Sequence, residues 1–283
     1  MAALAVTAWI ELVPLSDCIL PPFTSKVTRA AFARLWGVEP RMPKRRASFS
    51  LLFRGGRPLY RALEGRGDAG SIRLAARRGE RLYCRCSLIT PTSLELPEPT
   101  GLVRVGAAEF EARVISMEVV EVSELRASLP RKFVLRFKTP TLLPVPGRGS
   151  LLREAGVKRR YRLVPDLPLA LKLLAYDLRL QGIGLIRSSP RRIFAWAYRA
   201  LAELDYRVRP VTVLYTVREG RPAVERGFVG YVAYELLDEK SDYAEDFYRL
   251  MGYALRFGIG KSRSIGFGYV EAAPLPDASS RES

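Results

Sequence analysis

Alternation of apolar and polar positions predicts strands along much of the chain. Residues 3–13 place Leu4, Val6, Ala8, Ile10 and Leu12 on one face. Residues 81–90 do the same with Leu82, Cys84, Cys86 and Leu88. This period of two is typical of a half-buried strand. Further strands are predicted over residues 47–53, 108–122, 132–138, 207–217, 226–237 and 265–273.

Apolar positions three and four residues apart predict the helices. A first helix is expected from Ser25 to Trp36, with Thr24 as its N-cap and Gly37 at its end. Further helices are predicted over residues 168–180, 190–205 and 241–256. Where a second helix of the first half would be expected, the segment PTSLELPEPTG is rich in proline, so that helix is short, distorted or missing.

The order of these elements predicts the architecture. Each half follows the pattern β-α-β-β-(α)-β, which indicates an α+β protein with antiparallel sheets, built from two tandem ferredoxin-like (RRM-like) units. We expect an N-terminal domain over residues 1–127, a C-terminal domain over 128–275 and a disordered tail over 276–283. Glycines 55 and 56 predict a hairpin in the first unit.

The charge balance points to a polyanionic partner. The formal net charge is +17, and basic residues concentrate in segments 41–66, 73–85 and 144–162. Such clustering suggests a binding surface for a phosphate backbone, although it could also serve solubility alone. The N-terminus lacks the features of a signal peptide, and no apolar run is long enough to span a membrane. We therefore expect a cytoplasmic protein.

The chain has no histidine and three cysteines. The absence of histidine excludes a Ser-His-Asp or Cys-His engine and any imidazole acid–base relay. Three cysteines are too few for a four-cysteine zinc site or a disulfide framework. We therefore expect neither a metal nor a cofactor, and we interpret Cys84 and Cys86 as small core residues.

The segment FGIGKSRSIGFGYV, residues 257–270, carries the clearest chemical signal. Its glycines surround Lys261 and Arg263 between a helix and a strand, so backbone N–H groups and cations could hold phosphate oxygens together. The alternative is a tight connection with incidental charges. A dinucleotide-binding loop is less consistent with the order, because that fingerprint follows a strand and opens a helix.

This segment resembles the C-terminal glycine-rich loop of the CRISPR-associated protein six family, the endoribonucleases that process CRISPR repeat transcripts. Other stretches resemble that family in the same order along the chain: PPFTSKVTRAAFARL, PKRRASFSLLF followed by RGGRPL, LRFKTPTLLP and RGFVGYVAYEL. The resemblance implies metal-independent RNA cleavage, in which the ribose 2′-OH attacks the adjacent phosphorus. The products are a 2′,3′-cyclic phosphate and a 5′-OH end.

The resemblance also suggests catalytic residues. Many members of the family use a histidine, which this chain lacks. Lys26 stands where the family carries a catalytic side chain in its first helix, and Lys44 and Arg45 precede the second strand, where a further basic residue is expected. Tyr60 and Tyr83 are candidate proton carriers or stacking platforms, or else structural aromatic residues.

The remaining assignments concern binding. The residues expected to contact RNA are Arg29, Arg46, Gly258, Gly260, Lys261, Ser262, Arg263, Gly266, Lys158, Arg159 and Arg160. The expected partner is CRISPR repeat RNA, and the resemblance also allows subunits of an interference complex and a homodimer. Two alternatives remain: a non-catalytic RNA-binding subunit of such a complex, and a basic structural protein that binds DNA or the ribosome.

Overall fold

The computed structural model describes residues 3–37, 46–63, 73–91, 97–144, 161–218 and 221–276. The elements of the first half are β1 (Ala3–Pro14), β2 (Cys18–Ile19), α1 (Ser25–Trp36), β3 (Ala47–Phe49), β4 (Phe53–Arg54), β5 (Arg57–Pro58), β6 (Ala75–Ala76), β7 (Leu82–Pro91), β8 (Thr100–Val105) and β9 (Ala108–Glu121). A short 3₁₀ turn, Val122–Glu124, leads into the second half.

The second half contains three helices. Its elements are β10 (Lys132–Thr141), β11 (Leu143–Pro144), β12 (Tyr161–Arg162), α2 (Leu167–Leu180), α3 (Pro190–Ala200), β13 (Leu201–Arg218), β14 (Arg221–Leu236), α4 (Asp242–Phe257) and β15 (Val270–Pro274). A 3₁₀ turn, Arg263–Ile265, lies between α4 and β15. Among the described residues, no helix is both long and apolar enough to cross a membrane.

Both halves have ferredoxin-like topology. The first sheet has the order β5-β4-β7-β1-β9-β8, with β3 also paired to β7, and the second has the order β13-β14-β10-β15. All of the pairings within these sheets are antiparallel. In the first half β1 lies between β7 and β9, and in the second half β10 lies between β14 and β15. The first strand of each four-stranded βαββαβ unit thus lies between the third and fourth strands of that unit, as in a split βαβ unit. The α+β class and the tandem ferredoxin-like architecture are thereby confirmed.

Helix α1 covers one face of the first sheet, as the alternation predicted. Val27, Ala31 and Leu35 of the helix are buried against the apolar face of β1 and β7. The side chains contributed by that face are Val6, Ala8, Ile10, Leu12, Leu82, Cys84, Cys86 and Leu88. Burial of each large apolar side chain contributes about 1.5–3 kcal/mol, so this layer holds α1 firmly in place.

Some of the predicted elements differ in detail from the structure. The strand expected over 47–53 is divided between β3 and β4, because the Thr24 hydroxyl accepts from the Leu52 N–H and donates to the Leu59 carbonyl. Thr24 occupies the N-cap position, but its side chain does not cap α1. The helix expected to reach residue 205 ends at Ala200, because Leu201 already pairs with Leu236 in the sheet.

The last strand begins later than predicted. Gly266 and Gly268 have φ angles of 96° and 72°, which a regular strand does not accommodate. The chain is therefore a loop until β15 starts at Val270.

The two halves share buried contacts. Phe23 and Leu51 of the first half pack with Leu142, Val213 and Phe267 of the second. The division of the chain after residue 127 stays a prediction.

Candidate functional site

A cavity of about 920 Å³ lies where α1, α2 and the glycine-rich loop (residues 257–270) meet. One side is cationic and polar, with Arg29 of α1 and Lys261, Ser262, Arg263 and Ser264 of the loop. Helix α2 also contributes to the lining, with the side chains Leu173, Leu174, Tyr176, Asp177 and Leu180, of which Asp177 is charged. This volume falls in the range of small-ligand pockets, about 300–1,000 Å³.

The start of α1 is held directly against the glycine-rich loop. The Ser25 hydroxyl donates to the Ile265 carbonyl at 2.8 Å, and the ring of Phe23 stacks on Phe267 with their centroids 4.5 Å apart. A Cβ at Gly266 would lie 2.7 Å from Leu51 Cδ2 and 3.0 Å from Ser25 Cβ. Glycine is therefore needed at this position both for its positive φ and for the close approach of the helix.

Most of the backbone N–H groups of the loop are used within the protein. Those of Gly258, Lys261 and Gly266 donate to the carbonyls of Ala254, Leu142 and Arg263. Among the described residues, the N–H groups without such a partner are those of Gly260, Ser262, Arg263 and Ser264. Only these four backbone N–H groups of the loop are therefore available to bind a phosphate in the predicted way. The N–H groups of Gly258 and Gly266 are used in hydrogen bonds that hold the shape of the loop.

Ser262 adopts the left-handed conformation, with φ of 65°. For a residue other than glycine this conformation costs on the order of 1–3 kcal/mol and is found disproportionately at functional sites. Ser262 lies on the wall of the cavity, in the same turn as the unbonded amides. The strain therefore lies beside the candidate anion-binding groups.

Arg263 is committed to contacts within the protein. Its guanidinium forms an ion pair with Asp177 of α2 and lies 5.5 Å from the centroid of the Tyr253 ring. Although burial lowers its pKa, Tyr253 and Asp177 together raise that pKa above its ordinary value. The predicted RNA contact of Arg263 stays a prediction, and the geometry favours a role in fixing the loop to α2.

Arg29 and Arg263, both on the cavity wall, each have a buried guanidinium nitrogen without a hydrogen-bond partner among the described residues. These are the Nε of the half-buried Arg29 and the Nη1 of Arg263, whose Nη2 is paired with Asp177. Lys261, also half-buried, donates from Nζ to the Tyr161 hydroxyl at 3.1 Å. An unpaired buried donor costs about 1–3 kcal/mol, and an anionic ligand would remove that cost.

Lys26 lies one turn before Arg29, outside the group of side chains that line the cavity. It is exposed, and its Nζ donates to Thr216 Oγ1 of β13 at 3.3 Å. Residues i and i+3 share a face of a helix, so Lys26 and Arg29 lie on the same side of α1. The flexible lysine side chain is thus at the edge of the site.

Other predicted residues are placed elsewhere or lie outside the described residues. Lys44, Arg45, Lys158, Arg159 and Arg160 fall outside the described ranges. Arg46 immediately precedes Ala47, which lines the cavity. Tyr83 pairs with Phe53 in the first sheet and does not line the cavity.

A second, shallower groove of about 500 Å³ lies on the second sheet and was missed by the sequence analysis. Its side chains include Tyr60, Arg136, Lys138, Arg209 and Tyr231. Burial raises the pKa of the Tyr60 phenol, and Arg209 partly offsets that rise. The segment KFVLRFK could have indicated this groove, because Arg136 and Lys138 alternate with the buried Phe133, Leu135 and Phe137 and so lie on the opposite face of the strand.

Two arginines of the predicted basic segments, Arg54 and Arg85, have partners within the fold. Arg54 pairs with Glu80 at 2.6 Å, and Arg85 donates to the Arg256 carbonyl while lying over the Tyr269 ring. Burial lowers the pKa of the Arg85 guanidinium. Both arginines therefore serve packing and ion pairing within the fold.

Comparisons with known proteins agree with this fold. The Cas6 N-terminal domain model matches residues 6–120, and the model for CRISPR-associated endoribonuclease Cas6 matches residues 135–270. CRISPR-associated endoribonuclease Cas6 1 of Saccharolobus solfataricus is 25% identical over 280 residues, which cover 92% of this chain and 93% of that protein.

Solved structures share the fold. Thermus thermophilus Cas6 has a TM-score of 0.59 at 16% identity, and the match covers 96% of this chain and 100% of that one. A Cas6 substrate mimic complex has a TM-score of 0.56 at 20% identity, covering 95% and 99%. The two family models together span most of the sequence, and the chain therefore belongs to the Cas6 family of CRISPR-associated endoribonucleases.

Proposed function

We propose that the chain cleaves CRISPR repeat RNA in the cavity between α1, α2 and the glycine-rich loop. One observation carries the placement: Arg29, whose buried Nε has no hydrogen-bond partner among the described residues, lines the same cavity as Lys261 and residues 262–264, whose backbone N–H groups are unbonded. A phosphodiester supplies the acceptor oxygens that these donors lack.

The proposed reaction is transesterification followed by release of the 5′-OH product. The 2′-oxygen forms a bond to the adjacent phosphorus, and the bond from phosphorus to O5′ breaks. The proton of the 2′-OH leaves to a base, and the departing O5′ receives a proton from an acid. The products are a 2′,3′-cyclic phosphate and a 5′-OH, and the family resemblance supports a metal-independent reaction.

The side chains divide naturally between charge stabilisation and proton transfer. Arginine remains charged at all working pH values, so Arg29 is suited to stabilising the phosphorane and unsuited to acting as a base. A lysine can donate a proton, and Lys26 lies one turn away on the same side of α1. We assign Lys26 to protonation of O5′ and Arg29 with Lys261 to the phosphate.

Lys44 and Arg45 stay candidate catalytic residues, and Arg46 and the basic run at residues 158–160 are proposed to contribute further RNA contacts. The second groove offers a path for RNA outside the cavity, because among the described residues Arg136 and Arg209 have no ion-pair partner. A cytoplasmic location, interference-complex subunits and a homodimer also stay predictions.

The test of this proposal uses the purified chain and the repeat RNA of its own CRISPR array, incubated in excess EDTA. We expect the RNA to be shortened, with a 2′,3′-cyclic phosphate on the upstream product and a 5′-OH on the downstream one. RNA that stays intact but migrates more slowly in a gel because the protein is bound would contradict the cleavage proposal. It would favour the alternative of a non-catalytic RNA-binding subunit, which is consistent with the absence of histidine. Cleavage that stops in EDTA would contradict metal independence.

A further inference from the structure

The α2 side of the cavity has no evident use in holding a phosphate. Leu173, Tyr176 and Leu180 present an apolar surface there, and Tyr176 and Leu180 are 56% and 52% exposed. These positions are spaced three and four residues apart, so they form one stripe on the helix. Among the described residues, the Tyr176 ring has no stacking, cation–π or hydrogen-bond partner.

The cavity is also larger than a phosphate requires. A volume of about 920 Å³ has room for a nucleoside as well as its phosphate. The lining contains the cations Arg29 and Lys261 as well as the apolar side chains of α2, and the one acidic residue of α2 in the lining, Asp177, is paired with Arg263. A nucleotide matches this combination, with a charged phosphate at one end and an aromatic base at the other.

The chemistry of the proposed reaction favours a displaced base. Attack in line with the departing O5′ demands a geometry that a regularly stacked RNA strand does not offer. The backbone distortion that in-line attack needs favours the unstacking of a nucleotide beside the scissile phosphate. Proteins stabilise such bases by stacking them on aromatic side chains.

We propose that the α2 wall is a base-binding subsite, in which an unpaired nucleobase next to the scissile phosphate stacks on Tyr176. The subsite rests on the proposed function, because the phosphate bound at Arg29 brings the base within reach of α2. Leu173 and Leu180 flank the ring and shield the stacked base from water. Because the cations Arg29 and Lys261 also line the cavity, a nucleotide fits it better than an apolar segment of protein does.

The kinetic test compares Tyr176→Ala, Tyr176→Phe and the wild-type protein in single-turnover cleavage of repeat RNA. Loss of one stacking contact costs about 1–3 kcal/mol, so Tyr176→Ala should cleave about 5- to 150-fold more slowly. Tyr176→Phe keeps the ring and should stay within about twofold of wild type. Tyr198→Ala is the matched control, since Tyr198 is 73% exposed on α3 and does not line the cavity.

A second arm changes the RNA instead of the protein. An abasic site at one of the two nucleotides flanking the scissile bond should slow the wild-type protein by a similar factor. It should slow Tyr176→Ala little further, because the same contact has already been lost. Equal cleavage rates for Tyr176→Ala and wild type would overturn the subsite. It would also be overturned if the effects of Tyr176→Ala and of the abasic site on the free energy of activation were fully additive at both flanking positions.

A binding measurement separates this inference from the proposed function. Repeat RNA with 2′-deoxyribose at the cleavage position and 2-aminopurine at a flanking nucleotide cannot be cleaved, and its fluorescence falls when the base stacks. Quenching by wild type and Tyr176→Phe, with none by Tyr176→Ala, supports the subsite even if cleavage fails. Equal quenching by all three proteins contradicts it even if cleavage succeeds.

Discussion

Arg29 and Lys26 lie one turn apart on α1 and have different surroundings. Lys26 is exposed and donates to Thr216, whereas the Arg29 Nε is buried without a partner among the described residues. A folded protein retains an unpaired buried donor against a cost of about 1–3 kcal/mol. Arg29 is therefore a cation on the cavity wall that, unlike Arg263, has no ion-pair partner among the described residues.

Replacement of either side chain should affect cleavage more than RNA binding. We expect Arg29→Ala and Lys26→Ala each to lower the single-turnover cleavage rate about 100-fold, as loss of one charge-stabilising or proton-donating group does. RNA affinity should change less than about tenfold, because many other cations contribute to it. Rate and affinity are measured on the same repeat RNA.

Arg34→Ala supplies the control for both variants. Arg34 is on the same helix but pairs with Glu98 at 2.6 Å, outside the cavity. The assignment of a role to Arg29 or Lys26 fails if the corresponding variant cleaves as fast as Arg34→Ala.

The sequence singled out the glycine-rich segment that lines the cavity, but it did not show which contacts the cations of that segment make. Lys261 and Arg263 were both predicted to contact RNA, yet Arg263 is paired with Asp177, which is 86 positions away in the sequence. A partner at such a separation leaves no local pattern. For the same reason nothing in the basic segment 73–85 showed that Arg85 would lie over Tyr269.

At the scale of elements, the glycine-rich loop joins α4 to β15 and supports the start of α1. Its internal hydrogen bonds fix the backbone, and the Ser25–Ile265 bond fixes the helix to it. The position of Arg29 in the cavity therefore depends on the shape of the loop as well as on α1.

Gly266→Ala should lower the free energy of unfolding and the cleavage rate together. The new methyl group would meet Leu51 and Ser25 at a backbone φ of 96°, a combination that we expect to cost at least about 1–3 kcal/mol. Urea unfolding measures the change in stability, and single-turnover cleavage measures the change in activity.

Gly184→Ala is the control for this prediction. A Cβ at Gly184 meets nothing within 4 Å, and its φ is not positive, so the variant should be as stable as the wild type or up to about 1 kcal/mol more stable. Equal stability of Gly266→Ala and Gly184→Ala would contradict the described packing of the loop against α1.

Elements with a single consistent pattern were predicted closely. The helix Ser25–Trp36 matches its predicted bounds, because the apolar stripe and Gly37 agree on them. The errors arose where tertiary contacts override local preference. Residues 201–205 would suit a helix, but pairing of Leu201 with Leu236 makes them part of β13.

At the scale of the whole molecule, the cavity exists because the two halves meet. Arg29 comes from the first half, whereas α2 and the glycine-rich loop come from the second. The buried cluster that contains Phe23, Leu142 and Phe267 joins the halves beside it. Sequence order predicted both ferredoxin-like units, but it could not show that α1 and α2 line the same cavity.

The second groove is a separate surface outside the cavity. Tyr60 of the first half faces Arg136, Lys138 and Arg209 of the second, so both grooves draw on both halves. Phosphate contacts at such a surface add affinity without cleaving the strand. We propose that the scissile phosphate itself binds in the cavity, which Arg29 and Lys261 line.

The location of the scissile phosphate in a complex with RNA tests the proposed site most directly. A crystal structure of the chain with repeat RNA that has 2′-deoxyribose at the cleavage position would trap the uncleaved strand. We expect the scissile phosphate to lie in the cavity, with its oxygens about 2.7–3.2 Å from donor atoms of Arg29 and Lys261. A scissile phosphate bound outside this cavity, for example over Arg136 and Arg209, would contradict the assignment.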